Sequence, residues 1–222
     1  MDFRNSRYCP PWKNIPTSKS KLKEIIIVEH PRAWNFYTYV SSPENYKIQF
    51  SKLYNCKCSY CGCSMDIIAF DLFEIDHFIN EASFKKNGEW KSINAKKKAH
   101  SIENLVFSCK TCNRGKTGIT VPNEYITLLH PDNGSIQNIF FRDSSYQINI
   151  QENYKNDCFI NDFYKSLKLE YQFRRLDYLL MSMKGLIKYF RERGNVVLSG
   201  KLCDIYEKLK NKRHYMTCRD TN

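Results

Sequence analysis

Two short pairs of cysteines limit what this chain can fold into more than any other feature. Cys58 and Cys61 lie in "CSYCG" and Cys109 and Cys112 in "SCKTCN", with 47 residues between the pairs. Two thiols three positions apart can grip one tetrahedral ion from a single tight turn. A second such turn completes the shell with sulfur at ~2.3 Å. The pattern predicts a structural zinc that clasps two distant segments. The start, "MDFRNSRYCPPWKN", lacks the apolar core of a secretory signal, and the longest aliphatic run is "IIIV" at Ile25–Val28. That run is far short of the ~20 residues needed to span a bilayer. A cytoplasmic location is therefore expected, where reducing conditions favour metal binding over disulfides. Cys56 and Cys63 allow other pairings in "CKCSYCGC", but the glycine after Cys61 suits a tight turn and favours Cys58 and Cys61. Cys9, Cys158, Cys203 and Cys218 read as small apolar side chains or free thiols. A zinc sealed by four cysteines keeps no open position for water, so catalysis must reside elsewhere.

With 222 residues, 42% of them hydrophobic, the chain can bury a sizeable core as one domain or a domain with an appended module. Three zones follow from the pattern. Residues 1–53 form an aromatic and basic segment with a helix expected around Ser20–Glu29. In its "AWNFYTYV", Trp34, Phe36, Tyr37 and Tyr39 read first as buried anchors and second as a base-stacking platform. Residues 54–122 hold the zinc pairs, a strand at Phe73–His77 and a second short strand in "NLVFSC", with Thr111 or Asn113 as cap of a helix that follows. Between the strands lies a lysine-rich stretch of more than twenty residues with no helical or strand period. Residues 123–222 are expected to be mainly helical after a turn at "HPDNGS" and a strand-like "IQNIFF". Apolar residues recur every three or four positions from Phe173 to Phe190, Gly194 marks a stop, and Leu202, Ile205 and Leu209 suggest a second, shorter helix. The expected class is α+β, a small zinc-stapled core with a helical C-terminal region.

The net charge of +12, from 35 basic and 23 acidic residues, favours a polyanionic partner such as DNA. The excess is concentrated: Lys85, Lys86, Lys91, Lys96, Lys97, Lys98, Lys110, Arg114 and Lys116 face only Glu89 and Glu103 between Phe84 and Lys116.

A second set of residues is threaded through the clasp: Asp76 and His77 on the first strand, Asn104 before the second cysteine pair, and Asn113 directly after Cys112. Zinc joining the two pairs would bring Asn113 near Asp76 and His77. Asp76 and Asn113 offer hard oxygen atoms suited to Mg²⁺ or Mn²⁺, and His77 can accept a proton near neutrality. Metal, base and nearby cations are the parts that phosphodiester hydrolysis requires. Arg114 and Lys116, read as the start of the following helix, are placed for phosphate contact.

The order of "CSYCG", "EIDHFI" and "SIENLVFSCKTCNRGKTG", over about Lys57–Gly118, resembles the HNH endonucleases of the ββα-metal (His-Me finger) group. The resemblance implies that His77 is the general base, that Asp76 and Asn113 bind the catalytic divalent metal, and that Asn104 holds the loop or the base in position. It also implies cleavage of DNA to 5′-phosphate and 3′-hydroxyl ends. Asn113 stands where the name-giving residue of the family is a histidine. The nuclease domain of RNA-guided Cas9-type enzymes likewise has Asn followed by Arg-Gly-Lys. An amide oxygen there favours Mg²⁺ or Mn²⁺. Stand-alone proteins of this type and size resemble effectors of bacterial restriction or antiphage systems, some acting with an ATPase. No Walker A motif occurs here, so nucleotide dependence would need such a partner docked on the helical region. The competing reading is a non-catalytic zinc module that binds nucleic acid through its lysines.

Overall fold

Asn14 opens the first helix, α1 (Ile15–Glu29). Its side-chain oxygen accepts from the Thr17 amide at 3.2 Å, and Pro16 lies in the first turn, where a missing N–H is harmless. Ile15, Lys19, Leu22 and Ile26 form the buried face of α1. The computed structural model describes residues 2–6, 8, 12, 14–42, 44–86 and 92–219, with 85, 86, 218 and 219 described by main chain alone. Glu89, Lys91 and Cys9, and the side chains of Lys85, Lys86 and Cys218, lie outside the described residues. Two short helices, α2 (Phe36–Val40) and α3 (Lys47–Leu53), follow α1. Of the aromatic run, Phe36 is buried and Tyr37 and Tyr39 half-buried, but Trp34 is 38% exposed and does not serve as the expected buried anchor.

Both central strands form where the sequence pattern places them. β1 (Phe73–His77) and β2 (Leu105–Cys109) pair antiparallel, with Phe73 opposite Cys109 and His77 opposite Leu105. Phe73 and Phe107 stack at 4.9 Å, so the sheet carries its own aromatic core. The stretch between the strands is not structureless: α4 (Glu81–Lys86) and α5 (Ile93–Ala99) lie within it. Their stabilisation is local. Asn80 Oδ1 accepts from the Ser83 amide at 2.9 Å and Ser92 Oγ from the Asn94 amide at 3.2 Å, while α5 buries only Ala95 and Ala99. Helices anchored by caps and alanines leave no apolar stripe for a periodicity reading to find.

α6 (Lys110–Lys116) follows β2 without a break, capped by Cys109, so Thr111 and Asn113 lie inside the helix and neither is its cap. This β1–β2–α6 unit packs on α8 (Cys158–Ser166) through Gly115, where a β-carbon would come within 1.9 Å of the Ser166 carbonyl oxygen. Between them come α7 (Asn123–Leu129) and a small antiparallel ribbon, β3 (Phe140–Arg142) and β4 (Ile148–Ile150). The expected strand at "IQNIFF" is thus confined to its last residues and Arg142, because Gly134–Asn138 winds into a 3₁₀ turn.

The chain ends in an antiparallel helix pair, α9 (Gln172–Glu192) and α10 (Val196–Arg219), turning at Gly194 with φ +73°. α10 has 24 residues and is the longer of the two, against the expectation of a shorter second helix. Its attachment is partly polar, through Arg213 Nε donating to Asp177 of α9 at 2.6 Å, a contact that hydrophobic spacing does not register. No helix among the described residues is long and apolar enough to cross a membrane.

His130, at the end of α7, gives the fold a pH dependence. Its Nδ1 accepts from the Asp132 amide at 3.2 Å, its Nε2 faces the Glu103 carbonyl at 3.2 Å, and its ring lies 4.5 Å from that of Phe78. Burial lowers its pKa to about 4, against ~6.5 in an unfolded chain. The unfolded chain therefore binds the extra proton between those values. Stability from this group is complete above pH ~6.5 and is lost as pH falls toward 4, by roughly 2–3 kcal/mol. Urea midpoints at pH 7.5 and 4.5 should differ accordingly, and His130→Gln should reduce the difference.

Candidate active site

The two cysteine turns meet at the end of the β1–β2 sheet. Cys58, Cys61, Cys109 and Cys112 are all buried, and their sulfur atoms lie within 4.8 Å of one another, with Cys61 and Cys109 at 3.8 Å. Sulfurs ~2.3 Å from a tetrahedral zinc stand about 3.8 Å apart, so the donor set and its spacing fit this ion. Gly62, with φ +79°, lets the first turn close, and its amide donates to the Cys58 carbonyl at 2.9 Å. Cys56 and Cys63 are outside the cluster, as are Cys158 and Cys203. Burial pushes the Cys61 and Cys112 thiols up, with the charge of Arg174 opposing.

Arg174 had no place in the motif. It comes from α9, is 2% exposed, and donates to Cys61 Sγ at 2.9 Å and Cys112 Sγ at 3.1 Å. A zinc with four thiolates carries a net charge of −2, and a guanidinium hydrogen-bonded to two of the sulfurs offsets half of it. Asp177, 3.8 Å from Arg174 and bonded to Arg213, completes a buried charge network beside the clasp.

Beyond the clasp, Asp76, His77 and Asn113 line one cavity of about 330 Å³ together with Asn80, Glu81 and Lys116. Asp76 is buried: its Oδ2 accepts from the Tyr60 hydroxyl at 2.6 Å and lies 3.3 Å from Lys116 Nζ. Burial raises its pKa, while Lys116 and Tyr60 oppose that shift. Asn113 Nδ2 donates to Glu74 Oε2 at 2.7 Å, which leaves the carbonyl oxygen as the atom able to meet a cation. Glu74 lies two residues before Asp76, on the same face of β1. Its period-two relation to Asp76 was visible in the sequence, but its role depended on where Asn113 would fall.

His77 ends β1, and its Nε2 is 3.0 Å from His100 Nδ1. The Tyr37 ring lies 4.6 Å from the His77 ring, and Glu81 Oε1 is 3.9 Å from Nε2. Burial takes the pKa of His77 down to about 4, with Glu81 opposing and His100 and Lys116 assisting. The ring is therefore neutral at pH 7, the state in which it can accept a proton. Asn104 is buried and holds the main chain: its Nδ2 donates to Ile79 O at 2.9 Å and Ala99 O at 2.8 Å, and its Oδ1 accepts from the Ile79 amide at 2.9 Å. Of the two expectations for Asn104, these bonds are those of a residue that fixes the loop after β1.

Arg114 and Lys116 occupy the last turn of α6 and not its start, so their charges complement the helix dipole there. They face different surroundings. Arg114 is exposed, while Lys116 is 3% exposed and donates to His77 O at 2.9 Å and Phe78 O at 3.2 Å. Lys97 and Lys98 on α5 are exposed as well.

Comparison with known proteins gives a family match to the HNH endonucleases over residues 58–118. That span contains both cysteine pairs, Asp76, His77, Asn104 and Asn113. No curated protein and no solved structure matches the chain.

Proposed function

With residues 58–118 matching the HNH endonucleases as premise, we propose that this chain is a nuclease that hydrolyses DNA phosphodiester bonds with Mg²⁺ or Mn²⁺. The observation that carries the proposal is the meeting of Asp76 and His77 from β1 with Asn113 from α6 on one solvent-open cavity.

The roles follow from the contacts. In the tautomer in which His77 Nε2–H donates to His100 Nδ1, 3.0 Å away, the lone pair on His77 Nδ1 is the one available to take a proton from water. The water oxygen forms a bond to phosphorus as the bond to the 3′ oxygen breaks, leaving 5′-phosphate and 3′-hydroxyl ends. Asp76 and Asn113 would hold the divalent cation, which would supply positive charge to offset the charge that develops on the phosphate oxygens. Lys116 is assigned a positioning role, since its ammonium grips the main chain of His77 and faces Asp76. Exposed Arg114, beside Asn113, is assigned to phosphate, with Lys97 and Lys98 extending the basic surface. The four cysteines hold a structural zinc and take no part in the chemistry.

The test is relaxation of supercoiled plasmid by zinc-loaded protein in Mg²⁺ or Mn²⁺, against the same protein in EDTA. Nicking dependent on added metal is expected. Salt-sensitive DNA binding with no cleavage in either metal would support a binding module and sink the proposal. The wider role proposed is that of nuclease subunit in a bacterial restriction or antiphage system, working with a separate ATPase. Co-elution with the product of a neighbouring ATPase gene is the expected result, and separate elution counts against it.

A further inference from the structure

Beside the oxygen ligands of the cavity, three donor side chains converge from three elements. His77 ends β1, Glu81 opens α4 and His100 follows the last turn of α5, and their ligand atoms all lie within 4.8 Å of one another. Glu81 Oε1 is 3.9 Å from His77 Nε2. The proposed hydrolysis uses neither Glu81 nor a second ion, so it does not require this grouping.

The spacing suits a small ion. Two nitrogens ~2.0–2.1 Å from a tetrahedral ion stand about 3.3 Å apart. His77 Nε2 and His100 Nδ1, at 3.0 Å, need open by only a few tenths of an ångström. Glu81 has a side chain 36% exposed at the start of a short helix, beside the two rings. His77 and Glu81 also line the cavity, which gives an ion its entry path and leaves its fourth position to water. The Tyr37 ring lies against His77, and the Trp34 ring is 6.2 Å from that of His100, so aromatic surface flanks the cluster. Two imidazoles and one carboxylate suit Zn²⁺, Co²⁺ or Ni²⁺ and not Mg²⁺, whose preference is for oxygen.

We propose that His77, Glu81 and His100 form a second metal site, for zinc-class ions, whose occupation switches the nuclease off. The reason lies in the ring itself. A neutral imidazole has one lone pair and one N–H. Coordination through His77 Nε2 uses the lone pair there, so the proton resides on Nδ1 and that nitrogen can no longer accept one from water. The inhibition rests on His77 being the proton acceptor in the proposed function. The metal site does not.

Equilibrium dialysis of the full chain against buffered free Zn²⁺ decides the site without reference to cleavage. Wild type should hold one zinc on the cysteines and a second, weaker one. Changing a residue that only hydrogen-bonds to a ligand shifts metal affinity ~10–100-fold, so replacing ligands themselves, Glu81→Gln or His100→Gln, should weaken the second ion by at least ~100-fold and leave the first unchanged. A single equivalent in wild type overturns the proposal. So does a second equivalent kept by both variants and lost in Asn113→Ala, which would put that ion on the nuclease pair. Zinc added to the Mg²⁺-supported nicking reaction should suppress wild type at concentrations at least ~10-fold below those needed for Glu81→Gln. Equal sensitivity would remove the switch. If no nicking occurs at all, the dialysis still decides the site.

Discussion

His77→Ala should lower metal-dependent plasmid nicking by ~10²–10⁴-fold, the range over which a general base contributes, while the protein keeps its zinc. The loss should fall on kcat, because His77 is proposed to act on the attacking water and not on DNA affinity. Its surroundings make the variant a clean one. The main-chain carbonyl of residue 77, which Lys116 grips, survives the substitution, and the strand pairing with Leu105 is made by main chain alone. The side chain leaves a space that opens on the cavity, so water can fill it. Nicking kinetics at saturating plasmid, beside zinc content, measure both halves of the expectation. A variant that cuts as fast as wild type would move the base to another residue, and His100 would be the first to examine.

Cys112→Ser should have the largest effect on the fold. Structural zinc supplies ~10–16 kcal/mol in small zinc modules, comparable to or above the ~5–15 kcal/mol by which a domain is stable. Losing one of four ligands therefore threatens the whole β1–β2–α6 unit. Arg174 adds to the cost. With the metal gone its buried guanidinium faces thiols in place of thiolates and keeps only Asp177, 3.8 Å away and shared with Arg213, as counter-charge. The variant is expected to purify without zinc and to melt at least 15 °C lower, or without a cooperative transition. Zinc analysis and a thermal melt are the checks, and a variant with full zinc and an unchanged melt would show that Cys112 is not a ligand.

The β1–β2 strands and the cysteine cluster were legible because their signals are local and redundant. β1 alternates, β2 is a short apolar run, and two C-x2-C turns name the ligands without help from the rest of the chain. α4 and α5 were not, since Asn80, Ser92 and two alanines stabilise them with no apolar stripe. Among site residues, the ones missed are those defined by a partner far away in sequence. Tyr60 matters through Asp76, Glu74 through Asn113, His100 through His77, and Arg174 through the cysteines. None of them has a spacing that announces its role. Lys116 shows the same limit from the other side: its position in "NRGK" suggested a cation placed for phosphate, but only the packing of α6 against β1 shows it buried beside Asp76.

Arg174 has a bearing on how far the HNH-matching segment can travel. The matched span ends at residue 118, while the guanidinium that offsets the zinc-thiolate charge arrives 62 residues after Cys112, from α9. A graft of the motif into another protein, or a fragment ending near Pro122, would carry every metal ligand and none of this counter-charge. Such a fragment is expected to release zinc to a chelator faster than the full chain. Transplanting the chemistry would require a host that offers its own buried cation at the same corner. The helical region, which looks like an accessory to the motif, is in this respect a condition for its use.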